Sequence, residues 1–131
     1  MAKALHTVVE TAEFIRRAAG LLDVEQRRAL IDYLAASPDA GDPMVGTGGA
    51  RKLRWSAKGH GKSGGVRVIT FFSGPRIPVF LLTVFGKNEK ANLTPAERND
   101  LKSILTAIVT EYRKGSSELV KGRRKHTARR P

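Results

Sequence analysis

The run Arg51-Lys52-Leu53-Arg54-Trp55-Ser56 alternates charged and apolar residues. Two positions apart on an extended chain, Lys52 and Arg54 project to the same side, while Leu53 and Trp55 occupy the other. Further on, Arg67 stands alone among Val66, Val68 and Ile69. A cation in such a strand needs an anion, either a carboxylate from a neighbouring helix or a ligand. A third basic segment, Gly86-Lys87-Asn88-Glu89-Lys90, directly follows the apolar run Val79-Phe80-Leu81-Leu82-Thr83-Val84-Phe85. Lysine and arginine gathered this way hold anionic oxygen and stabilise charge that develops on it, above all on phosphate.

Other chemistries find little support. Gly59-His60-Gly61-Lys62-Ser63-Gly64 resembles a nucleotide-binding loop, but the glycine required five places before Gly61 is Ser56. The segment also leads into a strand, so no helix N-terminus follows it to receive a phosphate. It reads instead as a basic hairpin in which Lys58, His60 and Lys62 touch a backbone. The histidines His6, His60 and His126 are widely separated, and there is no cysteine. No metal ligand set, thiolate, nucleophilic serine or carboxylate pair stands out, so neither metal nor cofactor is expected. Any catalysis falls to lysine and arginine, with His60 as the one other proton carrier considered.

These residues need elements to position them. Residues 5–11 are β-branched and suit a first strand. Phe14, Ile15, Ala18, Ala19 and Leu22 recur at helical spacing, interrupted by Gly20. Asp23 and Gln26 form a capping box for a second helix, with Val24, Ile31, Leu34 and Ala35 on one side, ended by Ser37-Pro38. A loop over 38–50 precedes the strand at 51–56. Lys58 to Gly65 is a glycine-rich connection to Val66–Phe72, which is apolar on both faces except at Arg67 and Thr70. Ser73-Gly74-Pro75-Arg76 is a turn into the strand at 79–85. Thr94-Pro95-Ala96-Glu97 combines an N-cap, a first-position proline and a capping glutamate. Behind it Leu101, Ile104, Leu105, Ile108, Val109 and Tyr112 make an unbroken apolar stripe.

The predicted order is β-α-α-β-β-β-α. It implies an α+β domain over residues 1–113, a small antiparallel meander with helices on one face and the cations on the other, open face. Residues 114–131 read as a basic, flexible tail. Charge is segregated to match. Of the net +12, residues 51–90 hold nine basic residues against Glu89, and 114–131 hold seven against Glu118. The remainder carries eight basic and ten acidic residues. Such segregation fits a polyanion partner. No apolar run reaches membrane-spanning length and no signal peptide is evident, so a cytoplasmic protein is expected.

Taken in order, Arg51-Lys52-Leu53-Arg54-Trp55, Gly64-Gly65-Val66-Arg67-Val68-Ile69, Leu81-Leu82-Thr83-Val84-Phe85-Gly86-Lys87-Asn88-Glu89-Lys90 and Leu93-Thr94-Pro95-Ala96-Glu97 resemble the RelE/ParE toxin superfamily, particularly its HigB-like branch. The resemblance spans about residues 5–113. It implies a type II toxin–antitoxin toxin, an endoribonuclease that cuts messenger RNA on the ribosome without metal or cofactor. Carried over by position, Lys52, Arg54, Arg67 and Lys87 are the catalytic set. Lys52 is the candidate base, its neutral form favoured by the like charges of Arg54 and Arg67. Arg54 orients the phosphate, while Arg67 and Lys87 stabilise phosphate and leaving group. Arg51, Lys58, His60, Lys62, Asn88 and Lys90 would hold RNA. The implied partners are the ribosome, messenger RNA and a cognate antitoxin, expected to be a helix-turn-helix protein through which alone operator DNA is met.

Two departures from the family pattern stand out. Ala91, Asn92 and Leu93 replace a tyrosine common after the Gly-Lys segment, and Asn88 replaces an arginine. The competing readings are a ParE-like gyrase poison, disfavoured by the presence of all four basic residues, and a noncatalytic RNA-binding sheet. The latter lacks stacking aromatics, since Phe71, Phe72, Phe80 and Phe85 read as core.

Overall fold

The computed structural model describes residues 5–56, 65–87, 89 and 92–125, with side chains up to residue 114. Chain order is β1 (Val8–Glu10), α1 (Ala12–Ala18), α2 (Val24–Ala36), β2 (Asp42–Pro43), β3 (Ala50–Trp55), β4 (Val66–Phe71), β5 (Val79–Gly86) and α3 (Pro95–Lys125). The strands form one sheet in the order β1-β5-β4-β3-β2.

Both short helices begin on the caps their sequences provide. Thr11 accepts the Phe14 amide at 3.2 Å, so the strand expected over 5–11 narrows to Val8–Glu10 and its last residue becomes the cap of α1. At α2 the Asp23–Gln26 box closes in both directions, at 2.7 and 3.0 Å. The side of α2 that turns inward is Leu30 and Leu34, while Val24 in the first turn is exposed.

The α+β class stands, with two corrections to its layout. β1 runs parallel to β5, Val8 opposite Val79, although the rest of the sheet is antiparallel. The long excursion through α1 and α2 makes this possible, because a parallel neighbour needs a crossover rather than a hairpin. The helices also cover both faces rather than one. Phe14, Ala18, Leu22, Leu30 and Leu34 pack on Val66, Val68, Val79, Leu81 and Val84. On the other side Leu93, Leu101, Leu105, Ile108 and Val109 pack on Ala50, Ile69, Phe71, Phe80, Leu82 and Phe85. Central strands that are apolar on both faces leave about 25 cal/mol unspent for every Å² of the second face left wet, so the stripe of α3 closes it.

A β-bulge sets the phase of β5. Ile69 pairs with Thr83 and Thr70 with Leu81, which leaves Leu82 as an extra residue. Past that point the alternation inverts, so Val84 turns to the α1–α2 side and Phe85 to the α3 side. Thr11 braces the irregularity, its hydroxyl 2.8 and 3.0 Å from the carbonyls of Leu81 and Leu82.

Residues 38–50 contain β2, two residues paired with β3 where a plain loop was expected. The buried Thr47 hydroxyl donates to the Met44 carbonyl at 2.7 Å and accepts the Ala50 amide at 3.0 Å, closing the turn into β3. At the other end, α3 continues to Lys125, past Arg113 where the stripe stops and a flexible tail was expected. Lysine, arginine, glutamate and leucine sustain a helix, and extending one already nucleated adds a hydrogen bond for each residue fixed. Among the described residues no helix is long and apolar enough to cross a membrane.

Candidate functional site

Strand parity assigns each cation to a face. Leu53 and Trp55 lie against the α1–α2 core, so Lys52 and Arg54 stand on the α3 side. Arg54 is directly opposite Arg67, Lys52 is opposite Ile69, and Arg67 is opposite Phe85 on its other flank. Directly opposed residues of antiparallel strands have Cβ atoms roughly 5 Å apart, so two guanidinium-bearing side chains leave the sheet side by side.

The apolar cluster under α3 fills the Ala50–Phe71–Phe80 end of this face, and the three cations occupy its margin towards Trp55 and Val66. Arg54 is exposed, whereas Lys52 and Arg67 are half-buried. The Arg67 guanidinium reaches the carbonyl of Val66 at 3.4 Å, a weak contact that uses one of its five donors. The ion pairs among the described residues join Arg16 to Glu13, Arg17 to Glu89 and Arg27 to Glu10, and none includes Lys52, Arg54 or Arg67. Asp42 stands in register with Lys52 at the sheet edge, outside those pairs.

Lys87 follows β5 at the same end of the sheet, where Gly86 pairs with Val66. Its turn is clamped. The Glu89 carboxylate accepts the Gly86 amide at 2.8 Å and the Arg17 guanidinium at 2.5 Å, while Arg17 donates to the Val84 carbonyl at 2.9 Å. The Lys87 amide reaches the Gly65 carbonyl at 3.5 Å, linking this turn to the start of β4. Gly65 has φ +71°, and a Cβ there would lie 2.7 Å from the Trp55 carbonyl oxygen. Only glycine lets β3 and β4 meet so closely beside the cations.

Arg51 does not join the group. Its parity is that of Leu53, and its guanidinium donates to the Gly41 carbonyl at 3.2 Å. Lys58, His60, Lys62, Asn88, Lys90 and His126 lie outside the described residues, as does the Gly59–Gly64 segment. His6 packs edge-on against the ring of Phe72, with centroids 5.3 Å apart. Among the described residues no three His, Cys, Asp or Glu side chains gather closely enough to hold a metal ion. Sequence reasoning missed the Glu89–Arg17 clamp, whose partners are 72 positions apart. It also missed the bulge that turns Phe85 towards Arg67, although apolar residues on both sides of β5, at 79–82 and 84–85, were a sign that its phase was undecided.

A mixed sheet sandwiched between a helix pair and a long helix, with like charges opposed across two strands, defines a small α+β protein. The family described as the RelE toxin of the RelE / RelB toxin-antitoxin system matches residues 10–124, and the chain belongs to that family. It is therefore a toxin of a toxin–antitoxin system, with a cognate antitoxin as its partner.

Proposed function

We propose that this toxin is a type II mRNA interferase, a ribosome-dependent endoribonuclease that cuts messenger RNA with basic side chains alone. The observation that carries the reading is the placement of Arg54 opposite Arg67, with Lys52 on the same face and none of the three in an ion pair among the described residues. Opposed like charges cost stability. A fold that opposes an exposed arginine to a half-buried one beside an apolar cluster stands to recover that cost when an anion arrives.

In the proposed reaction the RNA 2′-oxygen attacks the adjacent phosphorus. Lys52 takes the hydroxyl proton, the P–O5′ bond breaks, and the departing oxygen takes a proton from solvent water. The products are a 2′,3′-cyclic phosphate and a free 5′-hydroxyl. Arg67 and Lys87 stabilise the charge that builds on the phosphate and the leaving oxygen, and Arg54 orients the phosphate. Lys58, His60, Lys62, Asn88 and Lys90 are assigned to RNA or ribosomal backbone, whereas Arg51, on the opposite face with its guanidinium on the Gly41 carbonyl, is not. The protein acts in the cytoplasm, where the ribosome and messenger are, and meets operator DNA only through a helix-turn-helix antitoxin.

The test is a translation mixture programmed with a defined message. Added toxin is expected to produce truncated messages ending in a cyclic phosphate, only when ribosomes are present. An intact message alongside inhibited DNA supercoiling would replace this reading with gyrase poisoning.

A further inference from the structure

Glu89 is the one acid in the segment 51–90, against nine basic residues, and it stands two positions from Lys87. A carboxylate so close to the proposed anion site opposes phosphate unless something neutralises it. The neutralising group comes from another element. Glu89 uses both carboxylate oxygens: Oε1 accepts the Gly86 amide at 2.8 Å and Oε2 accepts the Arg17 guanidinium at 2.5 Å. The Glu89 amide in turn donates to the Gly86 carbonyl at 3.0 Å. The turn that carries Lys87 is thus closed twice, by backbone and by side chain.

Arg17 is itself held. Its neighbour Ala18 and, one turn back, Phe14 are buried in the core. α1 lies along β5 and is tied to it at both ends. Thr11 meets the Leu81 and Leu82 carbonyls, and Arg17 Nε donates to the Val84 carbonyl at 2.9 Å. From Thr11 to Arg17 a helix rises about 9 Å, and from Leu81 to Val84 a strand advances about 10 Å, so the two spacings match. The guanidinium therefore joins β5 to the turn from a fixed base. Lysine needs such a base. It is a point charge on a flexible four-carbon stem, so the place its ammonium reaches depends on how firmly its backbone is held.

We propose that Arg17 and Glu89 are positioning residues for Lys87. They fix the backbone from which Lys87 reaches the leaving oxygen, and Arg17 cancels the charge of the carboxylate that closes the turn. The inference rests on the role given to Lys87 in the proposed cleavage and adds the arrangement that aims it. α1 then serves the reaction as a splint along β5, without meeting the reacting atoms.

The test follows single-turnover cleavage of a ribosome-bound message by the full-length toxin. Maximal rate and half-saturating toxin concentration are recorded separately, and thermal melts check folding. Lys87→Ala should lower the maximal rate about 10²-fold, the loss of one charge-stabilising group. Arg17→Ala and Glu89→Ala should each lower it about tenfold with half-saturation unchanged, because the cation is present but less well placed. Arg17→Lys should restore part of the loss. The decisive measurement is a double-mutant cycle: in a Lys87→Ala background, Arg17→Ala should cost nothing further. Losses that multiply would overturn the proposal, as would a loss carried by half-saturation alone. Glu89→Gln keeps an acceptor for the Gly86 amide and should cost less than Glu89→Ala. A Glu89→Gln toxin as inactive as Lys87→Ala would make Glu89 a proton carrier and overturn its positioning role. Should Arg17→Ala melt far below wild type, the Glu89 variants run the same cycle from the turn side. A wild-type toxin that cleaves nothing would remove the reaction and this role with it, a failure visible before any variant is compared.

Discussion

The two faces of the β3–β4 ribbon carry neighbouring residues of the same strands to opposite ends. On the α1–α2 face, Leu53, Trp55, Val66 and Val68 are drawn into one core, and the Trp55 indole donates to the Gln26 carbonyl at 3.3 Å. On the α3 face, Lys52, Arg54 and Arg67 gather at the margin of an apolar cluster, with like charges opposed. The first face spends its interactions on stability. The second keeps like charges opposed, repulsion that the proposed function relieves on a phosphate. On the proposed reading, function is a local departure from what would stabilise the sheet, possible because the opposite face already fixes the register.

The sharpest way to break this comparison is Arg67→Ala. If the charged face works by stabilising a developing phosphate charge, message cleavage should fall about 10²–10³-fold, the range for losing one such donor. Melting should change little, because Arg67 closes no ion pair among the described residues. Arg67→Lys keeps the charge without the planar fork and should recover only part of the rate. Full toxicity in Arg67→Ala would dissolve the distinction between the faces.

Gly65→Ala tests the hinge on which both faces depend. With φ at +71° and the new Cβ 2.7 Å from a backbone oxygen, the ribbon must either open or twist. A loss of about 2–3 kcal/mol in urea denaturation is expected, within the range for forced backbone conformations. Growth arrest should weaken with it, since Trp55, Gly65 and Lys87 meet at this point.

The sequence made the charged face legible because strands advertise parity. Lys52 and Arg54 two apart, with Leu53 and Trp55 between them, announce which side turns inward, and the caps at Asp23 and Thr94 announce two helix starts. Contacts distant along the chain were not legible. No local pattern tells that Val8 will lie parallel to Val79, or that Leu82 will be the extra residue that turns Phe85 towards Arg67. Placement of α3 failed for a related reason. The stripe from Leu101 to Val109 shows that a face must be buried, while the choice of sheet face depends on which one the earlier helices have already covered.

Arg54→Gln separates the two demands placed on a single residue. Removing one of two opposed guanidinium groups relieves repulsion, so the fold should gain a few tenths of a kcal/mol. The proposed phosphate-orienting contact goes with it, and cleavage should fall about tenfold, equivalent to about 1.4 kcal/mol in the barrier. Calorimetry and cleavage measured on the same preparation would show the opposite signs. A variant that loses both stability and activity would mean that Arg54 belongs to the scaffold.

The smallest effect expected comes from the quiet face, which has a flaw of its own. Thr70 has the parity of Val66 and Val68, is fully buried, and its hydroxyl has no hydrogen-bond partner among the described residues. It stands opposite Leu81, beside the bulge at Leu82. Burying a hydroxyl without a partner costs on the order of 1–3 kcal/mol, and valine has nearly the same shape without the group. Thr70→Val should therefore stabilise the toxin by about 1 kcal/mol, raising the urea midpoint at constant slope. Cleavage should stay at the wild-type rate, because the side chain faces away from Arg67. A drop in cleavage with the fold intact would mean that the α1–α2 face does more than hold the ribbon, and that the hydroxyl is kept for the reaction across the sheet.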